Sequence, residues 1–567
     1  MSNNENNNNL NSSNINTTNN SSDINQSNNN SENKPIINNP ELQNIKTKEN
    51  KSQNSQNQEK SMPKIVIPQR KANYNYDDND DLIDLSNEIE MITDELKEHY
   101  YDDLLNKQDM SLLQIKALIG TCLIYLIEGL HVSLTGLLFI PIIKNYNLSQ
   151  LRGCLISSSL MLFMAFGSLL SGFLTTKLVR KKLIIFSLLT ISFGSILSVI
   201  NSWIILLFCR SIIGLSLGIA IPIITNNLSE VLPLKLRSFW LIFVSSFFSL
   251  GAIISCQLIK LNINKLGILF SSISIPSSVV LIIFNIFYNE NPRYLVLIGK
   301  NDQAYNIIEK YLLLDHHKLS SYEKIQISKS IDRGVNKEVK ITGKFKFIFR
   351  RYGNMTLHLC LIWILYSMII NGGVFSLFVS FANNAIFIPN EFDINLEKMN
   401  ELFLIIQLFY TFFALSTIIS GIFTEIKWCG RKYTIFFGFL MSTIASFHVL
   451  LFRSKSKPFY FFATCLINIS FNAINSYTIE IYPTRVRDFA VGYLLFISKI
   501  IGFLSNILAI LINYRNKKWM LYLNSIIGVL GLIFTLMLPF DTYQRKLDDI
   551  MTKKPKERKK EIPIIGN

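Results

Sequence analysis

Long apolar runs, each close to 20 residues, follow one another along the chain from residue 117 onward. A helix of about 20 apolar residues crosses the hydrocarbon core of a bilayer. Because a backbone in lipid must satisfy its hydrogen bonds within the segment, each run predicts a transmembrane helix. We predict spans near residues 117–143, 153–175, 183–201, 204–227, 238–259, 266–287, 356–381, 399–424, 433–452, 458–479, 489–512 and 519–538.

These twelve spans form two groups of six, separated by a polar segment of nearly 70 residues. The pattern therefore predicts an all-α membrane protein with two six-helix halves. The expected divisions of the chain are a tail (1–76), a juxtamembrane segment (77–112), an N-terminal half (113–287), a central loop (288–355), a C-terminal half (356–540) and a basic tail (541–567).

The first two segments differ in composition. Residues 1–76 are rich in Asn, Ser, Gln and Lys and have almost no apolar surface to bury, which predicts disorder. The juxtamembrane segment is acidic, and its apolar residues recur at roughly helical spacing. It predicts a short amphipathic helix at the membrane surface; these apolar residues are Leu82, Ile83, Leu85, Ile89, Ile92 and Leu96.

The net charge of +16 comes mainly from Lys and Arg in short stretches between apolar runs. Basic loops of this kind mark the cytoplasmic side of a membrane protein. The distribution predicts that both termini and the central loop are cytoplasmic. No basic domain with interleaved aromatic residues is present, so nucleic-acid binding is not expected.

Catalytic and metal-binding patterns are also missing from the sequence. Six of the seven cysteines lie inside apolar runs, without metal-ligand spacing, and no cofactor or metal site is expected. The sequence contains no phosphate-binding loop and no nucleophile elbow. An enzyme is therefore not expected.

The two halves share sequence motifs about 250 residues apart, which predicts parallel repeats. Ser229 to Arg237 follows the fourth span, Ile479 to Arg487 follows the tenth, and both contain E-x-x-P-x-x-x-R. The stretch from Gly172 to Lys182 is similarly echoed by Gly421 to Lys432. Parallel repeats are typical of transporters whose halves rock around a site near the membrane midplane.

Residues 112–548 resemble the major facilitator superfamily, in its sugar-porter and organic-ion-transporter (synaptic-vesicle-protein-like) branch. Five motifs carry the resemblance in the expected order. They are Arg210-x-x-x-Gly214-x-x-x-Gly218, the Glu290 to Leu295 stretch E-N-P-R-Y-L, the Glu480 to Arg487 signature, Leu538-Pro539 to Leu547, and the basic loops after the second and eighth spans. The resemblance implies a monomeric carrier of small solutes.

The basic loops also depart from the family pattern. In the first loop, Thr176 stands where the family has Asp, and Val179 stands where it has Gly. The second loop keeps Gly430, Arg431 and Lys432, and Glu425 occupies its acidic position. Loss of the first acid predicts a weaker lock on the gate of the N-terminal half.

Three ionisable residues lie within predicted spans: Glu128, Arg210 and Lys499. Each costs about 2.5–3.5 kcal/mol in a bilayer unless it is paired or faces water. The resemblance places the first and fourth helices around one cavity, which implies that Glu128 and Arg210 are near neighbours. Glu128 then couples transport to protons, forms a static ion pair with Arg210, or contacts solute directly. His131 is either part of a proton relay or a packing residue.

Other polar residues predict the wall of a cavity. Lys499 resembles the eleventh-helix basic residue of organic-ion transporters, and its charge favours an anionic or carboxylate-bearing solute unless it snorkels or pairs with a neighbouring helix. Asn468, Asn472 and Asn475 recur with Thr464 on one face of the tenth span. Trp363, Tyr366 and Asn371 of the seventh span are expected to complete the substrate site or to pack between helices.

Charged residues at the helix ends have a different expected role. They can form ion pairs that close one face of the protein in one state and break in the other. The expected gating residues are Arg180, Glu230, Arg237, Glu425, Arg431, Glu480 and Arg487.

These patterns predict a secondary transporter of a small charged or polar organic solute, with an organic anion or carboxylate favoured and protons as a second partner. A facilitative sugar-type uniporter is the alternative within the class. A solute sensor that binds without transport is the alternative of another class. The remaining expected partner is the lipid bilayer.

Overall fold

A computed structural model describes residues 100–107, 110–175, 178–262, 266–313, 318–331, 341–376, 396–451, 457–515 and 519–543. Helices connected by short loops account for these residues, and none of them forms a strand. The predictions for residues 1–76 and 77–99 and for the tail after residue 543 lie outside the described residues.

The N-terminal half contains the first six membrane segments. A short helix precedes them, and the third helix continues the first membrane segment after a turn. The helices are α1 (Tyr100–Lys107), α2 (Leu112–Leu137), α3 (Phe139–Tyr146), α4 (Gln150–Leu174), α5 (Arg180–Leu197), α6 (Trp203–Val231), α7 (Arg237–Phe243), α8 (Ser246–Asn262) and α9 (Leu266–Phe287).

Three short helices follow in the central segment, and six long helices then form the C-terminal half. The short ones are α10 (Pro292–Leu297), α11 (Asn301–Ile307) and α12 (Ser321–Ile331). The long ones are α13 (Ile341–Ser367), α14 (Leu396–Glu425), α15 (Gly430–Leu451), α16 (Lys457–Ile481), α17 (Thr484–Arg515) and α18 (Trp519–Leu536).

Each predicted span falls on a helix within the residues described. Nine segments in this part of the chain are long and apolar enough to cross a membrane. The all-α membrane fold is confirmed. One boundary differs: α13 begins at Ile341, inside the segment 288–355 that was expected to be a loop. The helices continue past their apolar stretches because the ends outside lipid need no apolar side chains.

Local sequence explains where several helices begin. The Ser111 side chain accepts a hydrogen bond from the Gln114 backbone, and the Gln114 side chain accepts one from the Ser111 backbone, which forms a capping box for α2. Pro292 occupies the first turn of α10 after the Asn291 cap. Gly430 starts α15 with φ of +57°, a left-handed conformation that disfavours other residues.

The two halves meet at both ends of the bundle. The face that carries residues 178–182, 231–238, 425–432 and 481–488 is named here the basic face. At the opposite face, one apolar cluster contains residues of both halves, including Leu138, Phe139, Phe375 and Phe403. The rings of Phe139 and Phe375 meet edge to face at 5.4 Å between centroids.

Candidate functional site

A cavity of about 140 Å³ lies between the two halves, and both halves contribute to its wall. Seven of the predicted site residues line it: Glu128, Trp363, Tyr366, Asn371, Asn468, Asn472 and Lys499. Aromatic residues supply much of the remaining surface; these include Tyr125, Phe375, Phe409, Tyr410, Phe413 and Phe471. The cavity is therefore mostly apolar, with a few polar groups, as is usual for small-molecule sites.

An ion pair joins the two halves inside this cavity. Lys499 Nζ on α17 donates to Glu128 Oε1 on α2 at 3.5 Å. The Glu128 side chain is 7% exposed and that of Lys499 is 19% exposed. Glu128 and Lys499 are the acidic and basic members of the described lining. Each charge therefore offsets the other in a site of low dielectric constant.

This geometry corrects the expected pairing of Glu128 with Arg210. Arg210 is buried on α6 and donates instead to neutral oxygens, the His131 carbonyl at 3.1 Å and Thr135 Oγ1 at 3.0 Å. Among the described residues, no carboxylate lies within ion-pair distance of Arg210. Its Nη2 also donates to the Ser157 carbonyl at 3.5 Å, and its Nε has no partner among the described residues, so the Nη atoms of Arg210 tie α2 and α4 to α6.

His131 lies on the side of α2 that faces the other helices of its own half. Its Nε2 is 3.3 Å from Ser277 Oγ on α9 and 3.5 Å from Ser195 Oγ on α5. His131 is buried and is absent from the described cavity lining. These contacts favour the packing interpretation of His131.

The amide row of α16 divides between two cavities. Asn468 Nδ2 donates to Thr417 Oγ1 at 2.8 Å, whereas Asn468 Oδ1 is buried and has no hydrogen-bond partner among the described residues. Asn472 Oδ1 accepts from Ser245 of the other half at 2.7 Å. Asn475 lines a second cavity of about 20 Å³ that also reaches Glu128 and Lys499. The side chain of Thr464 lies outside the described part.

The residues of α13 form the aromatic wall. Trp363 Nε1 donates to Thr478 Oγ1 at 3.2 Å, which fixes the indole against α16. The Tyr366 ring stacks on Phe471 with 4.9 Å between centroids. Asn371 lies further along, and its Nδ2 donates to Ser367 Oγ at 3.1 Å. All three predicted residues reach the cavity while also packing between helices.

Asn506 and Tyr125 are among the polar residues of the lining that were not predicted. Asn506 lies seven residues after Lys499, two helical turns along the same face of α17, and donates to Ser158 Oγ of the other half at 3.2 Å. Its Oδ1 has no hydrogen-bond partner among the described residues. Tyr125 lies one turn before Glu128 on α2. Each of these two residues lies at helical spacing from a charged residue of the same helix, and that spacing could have predicted its place in the lining.

Most of the predicted gating residues meet at the basic face in two charged clusters. In the first cluster, Arg180 Nη1 is 2.8 Å from Glu230 Oε2. Arg487 of the C-terminal half donates to the other oxygen of Glu230 at 3.0 Å. Asp488, which was not predicted, lies 2.8 Å from Arg180 Nη2. The first cluster therefore crosses from one half to the other.

The second cluster is the counterpart in the C-terminal half. Arg431 Nη2 lies 3.1 Å from Glu480 Oε1 and 3.6 Å from Glu425 Oε1. Glu425 also accepts from the backbone N–H of Ser238 at the start of α7, at 3.1 Å. Arg237 is buried near Glu480, but its Nε and Nη1 have no hydrogen-bond partner in the described residues.

An acid outside the membrane segments caps one helix of each half. Glu290 accepts from the Lys181 backbone N–H at 2.8 Å, and Asp541 accepts from the Lys432 backbone N–H at 2.8 Å. Burial raises the pKa of Glu290, and the hydrogen bond from Lys181 opposes that rise. These caps repeat the internal symmetry that the sequence predicts.

The short helix α1 packs against the basic face. Asp102 forms an ion pair with Arg293, which also lies over the Tyr101 ring. Tyr101 is buried, and Asn106 Oδ1 accepts from the Leu234 backbone N–H at 2.8 Å, next to the start of α7. This helix is therefore held against the basic face by an ion pair and a hydrogen bond.

Comparisons with known proteins show the family and the fold of this chain. The profile of the family described as "Sugar (and other) transporter" matches residues 36–553. "Organic cation/carnitine transporter 7" of Arabidopsis thaliana is 28% identical over 212 residues, which cover 37% of this chain and 42% of that protein. "Synaptic vesicle glycoprotein 2B" of Rattus norvegicus is 25% identical over 228 residues, covering 37% and 33% of the two chains. The alignments thus span less than half the length of each relative.

A solved structure shows the same fold. The proton:xylose symporter XylE, bound to 6-bromo-6-deoxy-D-glucose, superposes with a TM-score of 0.61 at 14% sequence identity. The match covers 77% of this chain and 98% of that one. With the family match along most of the sequence, the chain belongs to the sugar (and other) transporter family, and it has the fold of the major facilitator superfamily.

Proposed function

We propose that the protein is a secondary active transporter of a small organic solute that carries a carboxylate, and that it couples this transport to protons. The observation that carries the proposal is the ion pair between Glu128 and Lys499 inside the cavity. A cation enclosed in a mostly apolar site attracts an anionic group. Here the cation is Lys499, which is paired with the carboxylate of Glu128, and a solute carboxylate can take the place of that partner.

Charge balance explains how solute binding is coupled to proton binding. The charged groups of the described lining are one carboxylate, Glu128, and one ammonium group, Lys499, so their net charge is zero. A solute carboxylate that binds Lys499 displaces Glu128 and adds a negative charge, which is costly inside a membrane. When Glu128 takes up one proton, the site returns to zero net charge. Solute and proton therefore favour each other's binding.

The size and lining of the cavity limit the solute further. A cavity of about 150 Å³ holds a benzene ring, so about 140 Å³ suits a solute of similar size. The aromatic wall favours a flat or apolar body. Asn468 Oδ1 and Asn506 Oδ1 are buried acceptors without partners among the described residues, and each can accept a hydrogen bond from the solute. The Arabidopsis relative is named for organic cations and carnitine, which are small organic solutes.

The charged clusters fit an alternating-access cycle. In this structure the clusters join the halves at the basic face, and an apolar cluster joins them at the opposite face. Breaking one set of contacts at a time exposes the cavity to one side. By the positive-inside rule, the basic face, both termini and the central segment are in the cytoplasm.

Uptake into proteoliposomes tests this function. Labelled small carboxylates are supplied with and without an acid-outside pH gradient, and each is paired with its neutral amide and with protein-free liposomes. We expect the gradient to drive accumulation of a carboxylate but not of its amide. Equilibration of neutral sugars that ignores the gradient would indicate a uniporter instead. Binding without any flux would indicate a sensor.

A further inference from the structure

The two charged clusters at the basic face have the same composition. The first contains Arg180, Arg487, Glu230 and Asp488, and the second contains Arg431, Arg237, Glu480 and Glu425. Each therefore holds two arginines and two carboxylates, all buried or nearly so. Equal numbers of opposite charges are needed, because an unbalanced buried charge strongly destabilises the state that contains it.

The second carboxylate comes from a different place in each cluster. In the second cluster it is Glu425, four residues after Gly421 in the basic loop. The matching position in the first loop, four residues after Gly172, is Thr176, which carries no charge. Asp488 directly follows Arg487, and the residue in the matching position after Arg237 is Ser238. Between the two clusters, acid and hydroxyl have thus exchanged positions, and both acids, Glu425 and Asp488, lie in the C-terminal half.

We propose that Asp488 is the acidic gate residue of the first cluster and that it supplies, from the C-terminal half, the carboxylate missing at position 176. Asp488 Oδ2 accepts from Arg180 Nε at 3.2 Å and from Nη2 at 2.8 Å. Its Oδ1 accepts from Asn226 Nδ2 at 2.8 Å. Both partners belong to the N-terminal half, so the carboxylate is held from the opposite half on two sides.

The contacts of Asp488 form only in the state in which the basic face is closed. Arg180 and Glu230 belong to the same half and can stay together while the halves move apart. The contacts of Asp488 with Arg180 and Asn226 cross between the halves and are lost when the basic face opens. Asp488 therefore stabilises the closed basic face selectively, which is the condition for shifting a conformational equilibrium.

Spin-label distances across the basic face test the proposal. Leu178 and Trp428 are 48% and 77% exposed and lie in the loops of opposite halves. Cysteines at these two positions can be labelled selectively, because all seven native cysteines are buried. The full chain in nanodiscs then reports the ratio of the open to the closed basic face as two populations of distance.

We expect Asp488→Asn to raise this ratio about ten-fold, within the range usual for coupled sites. The double variant Thr176→Asp/Asp488→Asn should return the ratio to within about two-fold of the parent chain, because it restores the acid at the family position. Glu309→Gln is the matched control: it neutralises a carboxylate that pairs with Lys324 inside the central segment.

Three results would overturn the proposal: no change for Asp488→Asn, an equal rise for Glu309→Gln, or no recovery in the double variant. If Asp488→Asn alone does not yield folded protein, the double variant still decides. It must then fold and match the parent ratio.

Discussion

Lys499 Nζ lies 3.5 Å from Glu128 Oε1, and this pair links the first helix of one half to the fifth helix of the other. The two residues are 371 positions apart in sequence. In the proposed transport cycle the halves move relative to one another, so we expect this ion pair to open and close during the cycle.

The first prediction concerns proton coupling. Glu128→Gln keeps the shape of the side chain but cannot exchange a proton, so the variant should exchange solute yet lose accumulation driven by a pH gradient. In the parent chain, one coupled proton gives up to about ten-fold accumulation per pH unit. Uptake of a transported carboxylate into proteoliposomes, with and without the gradient, measures both properties. Accumulation by Glu128→Gln would place the coupling acid elsewhere.

The second prediction separates Arg210 from that coupling. Arg210→Met removes charged donors from the His131 carbonyl and from Thr135, at about 1.5–3 kcal/mol for each hydrogen bond. The variant should therefore unfold at a clearly lower temperature in detergent, whereas Arg152→Met, at an exposed position of α4, should not. Folded Arg210→Met should still show pH-driven uptake. A complete loss of coupling with normal stability would contradict this assignment.

The third prediction concerns the charged clusters. Glu480→Ala or Arg487→Ala breaks a buried pair at the basic face and leaves the cavity lining unchanged. Turnover should fall more than solute affinity, because the pairs act on the populations of the two states. Equilibrium binding and the maximal uptake rate measure the two effects. Loss of binding with an unchanged distance between labels at Leu178 and Trp428 would place these residues in the solute site.

The fourth prediction concerns the close approach of α4 and α17. A Cβ atom at Gly492 would collide with the Ser168 carbonyl oxygen of the other half. Gly492→Ala should therefore favour the open basic face in the same label experiment. Gly353→Ala makes the same change where no atom lies within 4 Å of the added carbon, and it should have no effect. Equal responses of the two variants would exclude the steric explanation.

The fifth prediction compares two truncations. Removing residues 1–75 should leave insertion and transport intact, because that composition offers no packing surface. Removing residues 1–107 also deletes α1, with buried Tyr101 and the ion pair from Asp102 to Arg293, and should reduce stability. Thermal unfolding of the two proteins, together with uptake, tests the difference. Loss of folded protein with the shorter deletion would reveal a structural role for the tail.

The sequence was sufficient to locate the membrane helices, because lipid imposes a hydrophobic length that is visible in one dimension. It was also sufficient to find Glu128 and Lys499 separately, because a charge in an apolar run is conspicuous. Their pairing was not predictable in the same way. It depends on the rotation of α2 and α17 about their axes and on the approach of the two halves, which no local pattern contains.

The gate shows a second limit of prediction from sequence. Comparison of the repeats identified Arg180, Glu230, Arg431 and Glu480 because these occupy matching positions. Asp488 was missed because its counterpart is Ser238, so a search for repeated residues passes over it. Only the three-dimensional contact with Arg180 shows that a carboxylate at a different position completes the same arrangement.

Because both of these acids, Glu425 and Asp488, lie in the C-terminal half, the charges of the clusters also affect which halves can associate. Suppose that two N-terminal halves were arranged as the two halves are in the intact protein. Each cluster would then hold two arginines, Arg180 of one copy and Arg237 of the other, around a single carboxylate, Glu230. Two C-terminal halves would place three carboxylates around two arginines. Only the mixed pair is electrically neutral at both clusters. The charge distribution thus favours association of each half with the other half and disfavours association of a half with a second copy of itself.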